Sequence, residues 1–149
     1  MIKILTLKLC SVSVVVGVDA GLEARSVDDL NQTEDRIVSQ WAEREVSAED
    51  RHELRDRFDE ILRPLGYETS LVVIRRANSL ALYFICMTLA ALMSLRDQWH
   101  RRQLRDTVEH IFTFLSRTRV YVKRLVWPLS DYNRCLDFLK SVEGKLTVH

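Results

Sequence analysis

The chain has few of the residues that build nucleotide sites, disulfide frameworks and metal centres. Its 149 residues include four glycines and two prolines, and the glycines lie too far apart to form a glycine-rich phosphate loop. The three cysteines, Cys10, Cys86 and Cys135, are odd in number and widely spaced, which argues against disulfides and zinc knuckles. The four histidines include no His-x-x-x-His pair. The sequence therefore predicts no cofactor and no metal ion.

The chain as a whole also has almost no excess of one charge over the other. The formal net charge is +1, which argues against the uniformly basic surface of a dedicated nucleic-acid-binding protein. Locally, residues 19–60 hold 14 acidic and 6 basic residues, a net charge of −8, and residues 96–124 hold 8 basic and 3 acidic, a net charge of +5. Solvated helix faces explain such runs, but surfaces of opposite sign could also steer a partner or drive head-to-tail self-association.

The sequence also lacks a catalytic signature. Cys86 or Cys135 could act as a nucleophile only if the fold brought a base close to the thiol. The carboxylate pairs Asp28-Asp29 and Asp59-Glu60 lie in acidic, solvated stretches, where a pKa shift sufficient for acid–base catalysis is not expected. The protein is therefore predicted not to be an enzyme. Were it one, the two cysteines would be the first residues to mutate.

What the chain does have is enough apolar surface for one core. The hydrophobic share is 47%, and a chain of this length is expected to form a single domain spanning residues 1–149. The cysteines fall in apolar stretches, which is typical of buried, reduced thiols. We therefore expect a cytoplasmic protein.

Two apolar segments leave a second interpretation open. Residues 1–20 could form a first strand, which their valine content favours, or a cleaved signal peptide ending near Ala20. Residues 79–95 carry no charge over 17 positions, close to the length that a membrane-spanning helix needs. The segment begins with a half that is rich in Tyr, Phe and Ile (Tyr83, Phe84 and Ile85) and ends with a half that is rich in Ala and Leu. This change in composition favours a strand followed by a helix. The alternative is a secreted or membrane-attached protein.

Hydrophobic periodicity predicts the order of elements in the rest of the chain. Apolar residues recur at helical spacing over 37–41, 54–65, 89–99 and 104–115, whereas residues 70–74, 80–86 and 119–127 have the branched residues and alternation of strands. A last helix is expected to end near Lys140, leaving 141–149 as a frayed tail. The prediction is an α+β, ferredoxin-like β-α-β-β-α-β sandwich with a four-stranded antiparallel sheet and about five helices.

Four stretches resemble the TRADD N-terminal domain family, which belongs to adaptors of tumour necrosis factor receptor signalling. The stretches are the strand pair Leu71–Ile74 and Leu80–Phe84, the helix junction from Leu92 to Val108, the strand Val120–Leu125, and the acidic, Arg-Cys-Leu segment Asp131–Leu136. None of them is a catalytic signature, so the resemblance is one of core positions. It covers nearly half of the chain.

The resemblance implies a non-enzymatic adaptor module of intracellular immune or death-receptor-type signalling. Its partner would be another signalling protein, of the TRAF-domain type. The net charge and the pattern of residues 79–95 separately predict that no nucleic acid is bound and argue against a membrane. The family surface uses the first strand and the turn after the second strand, which places the contact here at Arg75, Arg76 and Ala77. These side chains differ from the family's polar pair, so the resemblance implies the mode of binding and leaves the identity of the partner open.

Overall fold

The structure, a computed structural model, describes residues 11–19, 27–43, 52–76 and 79–147, which form four strands and five helices. The strands are β1 (Ser11–Asp19), β2 (Thr69–Arg76), β3 (Leu80–Cys86) and β4 (Tyr121–Val126). The helices are α1 (Val27–Glu43), α2 (His52–Leu62), α3 (Leu89–His100), α4 (Gln103–Ser116) and α5 (Leu129–Thr147). A 3-10 turn, Arg63–Leu65, follows α2.

The four strands form one antiparallel sheet in the order β2-β3-β1-β4. Strand β3 lies between β1 and β2, and β1 lies between β3 and β4, so the two strand–helix–strand units interleave. This is the split β-α-β arrangement. The predicted α+β class, with a four-stranded antiparallel sheet and five helices among the described residues, is confirmed.

One face of the sheet forms the core. Its fully buried residues alternate along the two central strands: Val12, Val14 and Val16 in β1, and Leu80, Leu82, Phe84 and Cys86 in β3. Alternation puts successive side chains on opposite faces of a strand, so this one pattern selects the buried face. Each such side chain contributes roughly 1.5–3 kcal/mol relative to an exposed one.

Aromatic contacts tie the first two helices to α4. The ring of Phe58 lies 5.6 Å from that of Trp41 and 5.5 Å from that of Phe114, measured between centroids. Both pairs are tilted, a favourable arrangement for ring quadrupoles. Because Trp41 belongs to α1, Phe58 to α2 and Phe114 to α4, the contacts join three helices. Ile37 of α1, with no exposed surface, completes this part of the core.

A second aromatic group joins α3 to α5. The indole of Trp127 packs edge-to-face against Trp99 at 6.4 Å and against Tyr132 at 5.7 Å. The Tyr132 hydroxyl accepts a hydrogen bond from Arg96 Nη1 at 3.2 Å. These contacts place the start of α5 beside the C-terminal half of α3.

Residues 79–95, which were also considered as a spanning helix, divide into β3 and the first half of α3. Thr88 adopts an extended conformation, and its Oγ1 accepts a hydrogen bond from the Ala91 N–H at 3.1 Å. This side-chain cap is what a helix needs at its first turn. Across the described part of the chain, no helix has both the length and the apolar character needed to cross a membrane.

Residues 11–19 are a strand that pairs on both sides, with β3 and with β4. Cleavage after Ala20 would therefore remove an inner strand of the sheet. Residues 1–10, the first half of the segment 1–20 considered in the sequence analysis, lie outside the described residues.

The prediction of a frayed tail from residue 141 is wrong for residues 141–147, because α5 continues to Thr147. The Glu143 carboxylate accepts a hydrogen bond from the Leu89 N–H at 3.0 Å, at the start of α3. This contact links two helices that are distant in sequence, so local pattern could not reveal it. Residues 148 and 149 lie outside the described residues.

Two arginines occupy backbone conformations that favour glycine. Arg102 joins α3 to α4 with φ 64°, and Arg117 ends α4 with φ 62°. A left-handed conformation costs a residue with a Cβ roughly 1–2 kcal/mol, whereas glycine adopts it freely.

We expect Arg102→Gly and Arg117→Gly each to raise the free energy of unfolding by about 0.5–1 kcal/mol, the strain relieved minus the added entropy of the unfolded chain. Urea denaturation measures the change. Arg101→Gly is the matched control, because Arg101 has an ordinary φ of −85°, and it should leave stability unchanged or lower it. A loss of stability in both left-handed variants would contradict the argument.

Candidate binding face of the sheet

The face of the sheet opposite the core is less buried and carries Arg75, one of the three predicted contact residues. Antiparallel register aligns Arg75, Ala81, Val15 and Val126 in one row across all four strands. A neighbouring row aligns residues of three strands in the same way. We call this side the outer face and define it by Ser13, Val15, Val73, Arg75, Ala81, Tyr83, Arg124 and Val126.

Apolar side chains on the outer face are only partly covered, except for Ala81, which is buried with 3% of its surface exposed. Val73 and Val126 keep 37% and 40% of their surface exposed, and Val15 and Tyr83 are half-buried. Val14 and Val16, the neighbours of Val15 on the other face, have no exposed surface. Contiguous apolar side chains of this kind mark interaction sites more often than isolated ones do.

Two exposed arginines frame this apolar row. The Arg75 guanidinium lies 4.8 Å from the centre of the Tyr83 ring, a cation–π contact that fixes the side chain across the sheet. On the opposite edge, Arg124 is paired with Gly17. A Cβ on Gly17 would lie 3.6 Å from the Arg124 Cβ, so both positions are on the outer face, and the glycine leaves the sheet surface flat beside the arginine.

Arg76 points the other way and holds α1 to the sheet. Its Nη1 donates to Asp35 Oδ1 at 2.7 Å and to the Asn31 carbonyl at 3.2 Å, and its Nη2 donates to Asn31 Oδ1 at 3.1 Å. Nη2 also lies 3.7 Å from Glu34 Oε2. Of the three predicted contact residues, Arg75 is therefore on the outer face, Arg76 is engaged with a helix, and Ala77 lies outside the described residues.

Glu34 is the buried acidic partner of Arg76. The residue is 4% exposed, and burial raises the pKa of its carboxyl above the ordinary value of 4.5, an effect that Arg76 opposes and Asp35 reinforces. Desolvation disfavours the charged form of an acid, which accounts for the direction. The group is a structural charge beneath β2.

The exposed edge of β4 is protected by side chains of α4. The Val122 carbonyl accepts a hydrogen bond from Arg105 Nη2 at 2.5 Å, and the Val122 N–H donates to Glu109 Oε1 at 2.8 Å. Both polar groups of that backbone position are thus occupied. Edge strands with free groups invite pairing with other chains, so this edge is a poor template for an added strand.

The β2 edge is hindered differently. Its register shifts between Leu71 and Val73, and an irregularity of this kind disrupts the ladder that a new strand would follow. Arg75 and Arg76 end the strand, and positive charge on an edge discourages pairing. A partner could therefore bind the outer face of the sheet more readily than either edge strand.

Two of the predicted candidate residues, Cys86 and Cys135, lie in the core. Cys86 and Cys135 have no exposed surface, so neither thiol meets solvent. The Cys86 Sγ accepts a hydrogen bond from Thr69 Oγ1 at 4.0 Å. Where residues are described, no group of three His, Cys, Asp or Glu side chains could hold a metal ion.

No family model, curated protein or solved structure matches the chain. The resemblance to the TRADD N-terminal domain family therefore remains a prediction from sequence pattern.

Sequence reasoning placed the contact at one strand end and missed most of the outer face. Val15, Tyr83, Arg124 and Val126 meet there only because of cross-strand register. One signal was available: the alternation of Val12, Val14 and Val16 with other residues puts Val15 on the second face of β1. No comparable signal identifies the side chains opposite Val15.

Because Arg75 and Arg76 lie on opposite faces of the sheet, their substitution should have different effects on the free energy of unfolding. Arg76→Ala should lower the free energy of unfolding by about 2 kcal/mol, because it removes the hydrogen bonds to α1 and leaves buried Glu34 without its nearby cation. Arg75→Ala, the matched control, should change stability by no more than about 0.5 kcal/mol. Urea denaturation distinguishes the two. Equal losses would show that both arginines are structural.

Glu34 gives a prediction about pH. Since its folded pKa is raised, the folded state holds the proton more tightly, and this favourable contribution is lost as pH rises from 4.5 through the folded pKa. Glu34→Gln cannot titrate, so its stability relative to the native chain should increase over that window and then stay constant. Thermal melts at successive pH values measure the difference.

Glu60→Gln, on an exposed carboxylate of α2, controls for the loss of one negative charge in that experiment. A native chain that instead gained stability over Glu34→Gln with rising pH would show that attraction to Arg76 outweighs desolvation. The pKa of Glu34 would then be lowered.

Proposed function

We propose that this chain is a non-enzymatic protein-interaction module, an adaptor that binds another signalling protein through the outer face. The observation that carries the proposal is that the partly exposed Val15 and Val126 lie in one row with Arg75, whose guanidinium is held across Tyr83. Aromatic residues and arginine are the side chains most enriched at the energetic centres of protein interfaces. A pre-positioned arginine also loses little entropy on binding.

The condition of the edges supports a face-on mode of binding. Strand addition needs a row of free backbone groups, and Arg105 and Glu109 occupy those of Val122 in β4. A partner that docks on the outer face needs only side-chain contacts. The proposal therefore assigns recognition to side chains, which can be changed without breaking the sheet.

The resemblance to the TRADD N-terminal domain family supports the same class of function. Proteins of that family act in the cytoplasm in immune and death-receptor-type signalling, and the adaptor that gives the family its name binds a TRAF domain. A cytoplasmic setting also suits the buried, reduced thiols of Cys86 and Cys135. A TRAF-type partner is accordingly the first candidate to test.

The experiment is affinity capture from native lysate by the full chain and its variants, followed by quantitative mass spectrometry. Val73→Asp and Arg75→Glu change exposed outer-face residues, and Asp59→Lys on the exposed side of α2 is the control. We expect at least one partner to be retained by the native chain and the control and reduced about tenfold or more by both outer-face variants.

Thermal melting must be unchanged in the three variants, so that reduced capture reports binding and not unfolding. Retention of every partner by both outer-face variants would remove the proposal. Loss that was equal in Asp59→Lys would assign recognition to another surface.

A further inference from the structure

We propose that the segment bound on the outer face is acidic and aliphatic, with two carboxylates that pair with Arg75 and Arg124. This inference rests on the proposed function and names the chemistry of its partner. The observations that carry it are the sign and spacing of the exposed charges that the register brings to one face.

The two arginines lie at opposite edges of the apolar row. Arg75 is on β2 and Arg124 on β4, so three strand spacings and two residues along the strand separate them. At roughly 4.8 Å between strands and about 3.3 Å per residue, the Cα atoms are about 16 Å apart. An extended chain covers that distance in about five residues. The segment thus needs acidic residues at that separation, with aliphatic side chains between them.

An acidic group at one corner of this face, Asp131, is already engaged. Ser13 donates to Asp131 from its hydroxyl and from its N–H, the latter at 3.1 Å, so that carboxylate already has partners. The apolar row itself contains no carboxylate, and an incoming acidic group would meet Arg75 and Arg124 without internal competition there.

A second copy of the chain is a poor occupant of this face. Packing two outer faces against each other would bring Arg75 and Arg124 of one copy close to the same residues of the other. Like charges that lose water in an interface oppose association. The arginines therefore select a partner of opposite charge over self-association.

Single-stranded nucleic acid is also a poor fit. Binding of bases needs free aromatic ring faces, but Arg75 lies over the ring of Tyr83, and Arg119 lies 4.9 Å from the centre of the Tyr121 ring. Half-buried Tyr83 and exposed Tyr121, the two tyrosines of the described strands, thus each have an arginine on one ring face. A net charge of +1 adds little attraction for a phosphate backbone.

The test uses the full chain labelled with nitrogen-15 and two synthetic probe peptides. One has two glutamates about five residues apart with valine and threonine between them, and the other has lysines in place of the glutamates. We expect saturable amide shifts at Val15, Val73 and Tyr83 with the glutamate peptide and none with the lysine peptide. Binding should weaken as salt is raised.

Charge reversal makes the test specific. Arg75→Glu combined with Arg124→Glu should weaken binding of the glutamate peptide at least about tenfold and create binding of the lysine peptide. The matched control combines Arg57→Glu with Arg63→Glu, two exposed arginines outside this face, and should keep the native preference.

Three results would overturn the inference: absence of shifts with the glutamate peptide, equal binding of the two peptides, or a stronger response to oligo(U). Sedimentation that showed the chain associating through this face would overturn it as well. A captured partner that needs the outer face but crosslinks through a segment without acidic residues would reject the inference and leave the interaction-module proposal standing.

Discussion

The pairing of β1 on both of its sides is the constraint on which the rest of the structure depends. Its alternate valines, Val12, Val14 and Val16, have no exposed surface, so a slip of one residue would move all three to the other face. Because β1 pairs with β3 and with β4, such a slip would disturb both neighbours. The register of β1 thus fixes which side chains enter the core and which form the outer face.

The two faces of the sheet differ because their side chains have different surroundings. On the core face, aromatic contacts join α1, α2 and α4, and burial of apolar side chains excludes water. The outer face keeps apolar side chains partly exposed and adds arginines at its edges. In β4, Arg105 and Glu109 occupy both backbone groups of Val122. A hindered edge beside a partly exposed face favours the proposed recognition through side chains.

Elements set by local pattern could be predicted from the sequence, and features set by distant contacts could not. Helical periodicity located α4, strand composition located β3, and Thr88 marked the start of α3. The length of α5 escaped because Glu143 meets the Leu89 N–H only in the folded chain. The set of residues on the outer face could not be predicted for a related reason. Irregularities in β2 and β4 shift the strand register, and the spacing of residues in the sequence does not reveal such shifts.

Arg75 and Arg76 illustrate why adjacent residues of like charge can have unrelated roles. In a strand, neighbours point to opposite faces, so Arg75 lies across Tyr83 on the outer face and Arg76 reaches α1 beneath the sheet. The resemblance implied one contact surface that includes both arginines, but only Arg75 lies on the outer face, and Arg76 holds α1 against β2. Substitution of Arg76 therefore disturbs the packing of a helix, whereas substitution of Arg75 alters the outer face alone.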